Sequence, residues 1–90
     1  MKMPRRIKLG GFVVAVDSTD QMNNAGDWAS VGAQIRVNTH MTECEQAETL
    51  LHEIIEAINY YGGLELEHPQ LTSLSAWLFA AIRQNKLTFL

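Results

Sequence analysis

The sequence predicts an α+β fold: a small N-terminal β-sheet, made of a hairpin plus one or two strands, followed by two helices. Three observations carry this. Two β-rich runs flank Gly10-Gly11, a turn signal. Thr42 followed by Glu45 is a helix-start pattern, and an apolar stripe at helical spacing follows it. A second such stripe opens at Pro69 and runs to Asn85.

The elements follow in order. Ile7-Lys8-Leu9, the Gly10-Gly11 turn and Phe12 to Val16 form the hairpin. Its second strand is almost wholly apolar, which predicts a central strand buried on both faces. Asp17 to Asp27 is polar, with Asn23, Asn24 and Gly26, and reads as a loop. Asp27 to Ser30 is a candidate short strand, Ala33 to Val37 alternates and is a better one, and Asn38 to Met41 ends the sheet. Thr42 caps the first helix, and Glu43, Glu45 and Glu48 suit the positive end of its dipole. Ala47, Leu50, Leu51, Ile54, Ile55, Ile58 and Tyr61 form its buried stripe, and Gly62-Gly63 stops it. The second helix begins near Pro69. Leu71, Leu74, Leu78, Ala81 and Ile82 form its stripe, with Trp77 beside it, and Asn85 is its stop. Leu87, Phe89 and Leu90 predict a docked tail.

Ninety residues hold one domain, 1–90. A core this small is thin without a metal, a disulfide or a partner. The single cysteine, Cys44, excludes an internal disulfide and fits a reducing, cytoplasmic setting. At the first turn of a helix, with no second Cys, it reads as a passive thiol. Net charge is −3, unevenly spread. Residues 1–40 hold five Lys/Arg against three Asp; residues 41–90 hold two against seven Glu. The acidic half argues against nucleic acid as a partner. No apolar run approaches membrane-spanning length, and the basic start lacks the apolar region of a signal peptide. Trp28 reads as sheet-covering.

The chemistry-bearing string is His52-Glu53-Ile54-Ile55-Glu56. Helical residues four apart lie on one face with Cβ atoms about 5–6 Å apart. His52 and Glu56 can therefore reach one ion at roughly 2.0–2.2 Å. Glu53 lies one step round the helix. In the zinc-protease signature H-E-x-x-H, that residue is the general base acting on water. Here Glu56 replaces the second His. The same segment also reads as a wet helical face, since Glu45, Glu48, His52, Glu56 and Asn59 make one polar stripe.

The segment Thr49-Leu50-Leu51-His52-Glu53-Ile54-Ile55-Glu56-Ala57-Ile58-Asn59, preceded by Ile35-Arg36-Val37 and followed by Leu66-Glu67-His68 and a helix closing on Asn85, resembles the small phage- and prophage-encoded zincin-like proteins, in an H-E-x-x-E form. The resemblance is tight from Thr49 to Asn85. It implies a minimal zincin-like core, a metallopeptidase-like fold of phage origin in the host cytoplasm, and a His at the start of the second helix.

A third metal ligand is argued by exclusion. Residues 69–90 contain no His, Asp, Glu or Cys, which rules out a gluzincin-style carboxylate on the second helix. The metzincin position, six past the second ligand, is Gly62. Gly62-Gly63 lets the chain fold back, so His68 is the expected third ligand. His40 is the reserve, Glu65 and Glu67 remain available, and His68 as a helix cap before Pro69 is the structural alternative.

Two functions follow as expectations. One is a minimal zinc-dependent peptidase, with His52, Glu56 and His68 on zinc, Glu53 as base and a peptide along the exposed edge of the last strand. Tyr60 is then the free tyrosine for an oxyanion, because Tyr61 lies on the core stripe. The other is a non-catalytic binding or inhibitor protein on the same scaffold, engaging a host protein. Self-association through an apolar surface, giving a homo-oligomer, is a further expectation.

Overall fold

The computed structural model describes residues 2–87. Strands β1 (Arg6–Leu9), β2 (Phe12–Thr19), β3 (Gly26–Ala29) and β4 (Gln34–Asn38) precede helices α1 (Glu43–Gly62) and α2 (His68–Asn85). The α+β arrangement is the predicted one. The strands form one sheet in the order β1-β2-β4-β3. β1 and β2 are the antiparallel hairpin about Gly10, whose φ of 58° is the left-handed geometry glycine tolerates. β4 pairs in parallel with β2, Val16 opposite Ile35, and antiparallel with β3, Trp28 opposite Ile35. The last strand is therefore internal, with no exposed edge for a peptide. The free edge on that side belongs to β3. β2 also runs on to Thr19, three residues into the predicted loop.

α1 covers one face of the sheet, and α2 packs on α1. Val14, Ile35 and Val37 are fully buried beneath α1, with Leu50, Ile54 and Tyr61 packed against them. Burying each such side chain stabilises the fold by about 1.5–3 kcal/mol. The other face of the sheet is open, which corrects the expectation for β2. Val14 and Val16 are buried, but Val13 and Ala15 point to solvent. β-Branched residues suit a strand whichever face they take, so the apolar run did not report two-sided burial. On the open face, the Arg36 guanidinium pairs with both carboxylate oxygens of Asp27 and holds that carboxyl below its usual range. Trp28 lies on the covered face, its ring 5.8 Å from that of Tyr61, as expected of a sheet-covering residue.

The helix ends obey local chemistry. The Thr42 side chain accepts from the Glu45 N–H, and Glu45 Oε1 accepts from the Thr42 N–H at 3.1 Å, completing the capping box. Gly63, with φ 60° and ψ 38°, closes α1. α2 starts one residue earlier than expected: Glu67 is its N-cap and His68 its first helical residue, so His68 is not the cap. The α2 stripe is also corrected. Leu71 and Ser75 are buried, whereas Leu74, Leu78 and Ala81 are exposed and Trp77 is 76% exposed. Leu87 is half-buried, and its N–H donates to the Ile82 carbonyl. The rest of the predicted docked tail, with Phe89 and Leu90, lies outside the described residues.

At Gly26, on the sheet edge, the chain is tightly packed against both α1 and β4. A Cβ there would stand 2.6 Å from Thr49 Cγ2 and 2.7 Å from the Arg36 carbonyl oxygen. One contact is backbone and cannot yield cheaply. Gly26→Ala is expected to destabilise the protein by about 2 kcal/mol or more, the cost of overpacking a tight site. Urea unfolding checks this; an unchanged midpoint would contradict the close approach of α1 and the β4 backbone to Gly26.

Candidate metal centre

The site is built on the face of α1 that meets α2. His52 and Glu56 are one turn apart on that face, and both are half-buried. The polar stripe of α1 is thus only partly a wet face. Glu45 and Glu48 are exposed, while His52, Glu56 and Asn59 line the junction with α2 and the loop before it. Asn59 sets that loop. Its Oδ1 accepts from the Leu66 N–H at 2.9 Å, and its Nδ2 donates to the Leu66 carbonyl at 3.2 Å. This two-point tie returns the chain beside α1 and delivers His68 to Glu56.

Glu56 Oε2 then stands 3.8 Å from His52 Nε2 and 3.9 Å from His68 Nδ1. The two imidazole rings meet edge to face, centroids 5.5 Å apart. One ligand atom from each of the three residues lies within 4.8 Å of the others, so the group could hold a metal ion. Tetrahedral ligands at ~2.1 Å from an ion are about 3.4 Å from one another. Modest side-chain rotation closes that difference, and His68, which is exposed, has the freedom to make it.

The reserve ligands stay apart. His40 is exposed beyond β4, where its N–H donates to Asn38 Oδ1. Glu65 is exposed in a left-handed conformation, and Glu67 caps α2. Among the described residues, His52, Glu56 and His68 are the group that converges. Cys44 is exposed and free.

Glu53 lies toward β3 instead of α2 and is only 6% exposed. Its Cγ sits 3.6 Å from where a Gly26 Cβ would be, so the missing side chain leaves it room. Burial, then the charges of Glu56 and Asp27, push its carboxyl up to about 7. Among the described residues no Lys or Arg pairs with Glu53 or Glu56. Next to His52 a cleft of about 250 Å³ opens between Ala25, Thr49, Thr72 and Ala76.

Sequence reasoning missed Ser75. It is buried on α2, with Oγ 3.1 Å from His52 Nδ1. It stands 23 positions from His52 inside an apolar helix, so no local pattern announces it. Asn59 was visible only as part of a polar stripe. Comparison with known proteins adds nothing to this geometry: no family model, curated protein or solved structure matches the chain.

The raised Glu53 carboxyl has a pH signature in metal-free protein. The fold favours its protonated form. That contribution to stability is complete below its ordinary value of 4.5 and is lost as pH rises through about 7. Wild-type protein in chelator is expected to lose on the order of 2 kcal/mol across that window. Glu53→Gln should flatten the slope and be the more stable protein above neutrality. The lowered Asp27 and Glu45 carboxyls act in the opposite sense and only at more acidic pH, so they do not mask it. Urea unfolding from pH 5 to 8 reads it; parallel profiles for the two proteins would contradict the environment assigned to Glu53.

Proposed function

We propose that this protein is a minimal zinc-dependent metallopeptidase, with His52, Glu56 and His68 as ligands and Glu53 as general base. The observation that carries the reading is the convergence of the three ligand atoms within 4.8 Å, on a helix that also carries a buried carboxyl. Two imidazoles and one carboxylate are a donor set that suits zinc, and they leave a coordination position open. His52, Glu56 and His68 would hold the zinc, which when bound would supply a net positive charge able to activate a water and polarise a carbonyl. Glu53 would be the base for that water's proton and would return it to the leaving amine. An extended peptide has the free edge of β3, which begins at Gly26 beside Glu53, as its pairing partner. The resemblance to phage zincin-like proteins agrees with this reading. The lone exposed Cys44 suits a reducing host cytoplasm.

A second reading has its own support. The cleft beside His52, at about 250 Å³, is smaller than most small-molecule sites, and Glu53 is nearly enclosed. Both features suit a zincin-like scaffold that binds a host protein without cutting it. The exposed Leu74, Trp77 and Leu78 on α2 would then supply contact surface, for a host protein or a second copy.

Elemental analysis and a peptide-library digest separate the two. Wild-type protein is expected to hold about one zinc per chain. His52→Ala should lose the metal. Glu53→Gln should keep it and lose hydrolysis by at least about 100-fold. Metal retention with no hydrolysis by the wild type supports the binding scaffold; no metal in the wild type removes the peptidase reading and leaves only a scaffold without a metal.

A further inference from the structure

We propose that Ser75 is a positioning residue that fixes the tautomer of His52 and turns its Nε2 lone pair toward Glu56 and His68. The inference rests on the metal reading above, but its central claim concerns the protein without metal. Ser75 is only 3% exposed, on the face of α2 that meets α1. Its hydroxyl has one proton, and the Thr72 carbonyl, 3.0 Å away, is placed to accept it. The oxygen is left with lone pairs and faces His52 Nδ1 at 3.1 Å. With the hydroxyl proton donated to the Thr72 carbonyl, a hydrogen bond at that distance needs the proton on Nδ1.

A neutral imidazole carries one N–H, so Nε2 is then bare. That nitrogen lies 3.8 Å from Glu56 Oε2, too far for a hydrogen bond. Only the Nδ1 side is held. A metal ion needs a lone pair, and this arrangement presents one before the ion arrives. The partner of the second imidazole nitrogen commonly sets the orientation and basicity of a ligating histidine. Here that partner comes from the other helix, so the packing of α2 on α1 and the ligand geometry are one constraint.

Removing the hydroxyl reverses the preference. In Ser75→Ala, Nδ1 has no acceptor, and the proton is better placed on Nε2, facing the Glu56 carboxylate. That tautomer must be undone before His52 can ligate.

The test uses nitrogen-15 NMR of the histidine side chains in chelator-treated protein near pH 8, where imidazoles are largely neutral. Wild-type His52 is expected as the Nδ1–H form and Ser75→Ala shifted toward Nε2–H, with zinc affinity reduced about 10–100-fold. Ser75→Thr, which keeps the hydroxyl, should restore both. An Nε2–H wild type overturns the proposal without any variant having to fold. An unchanged tautomer in Ser75→Ala overturns it too, as does a changed tautomer with unchanged zinc affinity. If the wild type shows Nδ1–H, the variant shifts, and neither binds zinc, Ser75 holds the tautomer and it is the metal reading that fails.

Discussion

The two hydrogen bonds between the Asn59 side-chain amide and the Leu66 backbone hold the site together. Gly63 ends α1 and frees the chain, and freedom alone would leave His68 anywhere within reach of a five-residue connection. Asn59 removes that freedom by taking both the N–H and the carbonyl of Leu66, at 2.9 and 3.2 Å. One residue later Glu67 caps α2, and His68, the first residue of that helix, falls beside Glu56. Side chains from two helices thus meet through a loop tied back to the helix it leaves.

The other end of the scaffold is fixed in a similar way. Buried Asn38 donates to the Met22 and Asn24 carbonyls and accepts from the His40 N–H. That anchors the loop before β3 and sets where Gly26 begins the edge strand. α1 then lies close enough at Gly26 to enclose Glu53. The consequence is electrostatic. α1 carries five Glu and no Lys or Arg. Glu43 and Glu45 sit in the first turn, where the helix dipole favours them. Glu53 and Glu56 lie past that turn, and ionised Glu53 is disfavoured first by burial and then by the charge of Glu56. Such a pair is relieved either by a proton, as on Glu53, or by a cation among His52, Glu56 and His68.

Much of this was legible in the sequence because it rests on local chemistry. Gly10-Gly11, the Thr42–Glu45 box, the Gly62-Gly63 stop and the four-residue spacing of His52 and Glu56 are short-range signals, and each is realised. What was not legible depends on which surfaces meet. α2 shows this best. Counting apolar residues favours Leu74 and Leu78 as its buried face, yet Leu71 and Ser75 are buried instead. The reason is that α1 offers α2 a face containing His52, Glu56 and Asn59, and a half-buried imidazole needs a partner. Ser75 satisfies it, and the leucines are left outside. The open face of β2 is a second case: nothing in Phe12 to Val16 reveals that both helices stack on one side. The position of β4 is a third, since a strand last in sequence is not thereby at an edge.

The central claim is that His52, Glu56 and His68 form one metal centre. X-ray absorption at the zinc edge of the loaded wild-type protein tests it most directly. The expected spectrum shows two imidazoles and light oxygen ligands at about 2.0–2.1 Å, with no sulfur. A sulfur scatterer at about 2.3 Å, which would implicate Cys44, or a shell of oxygen alone, would contradict it.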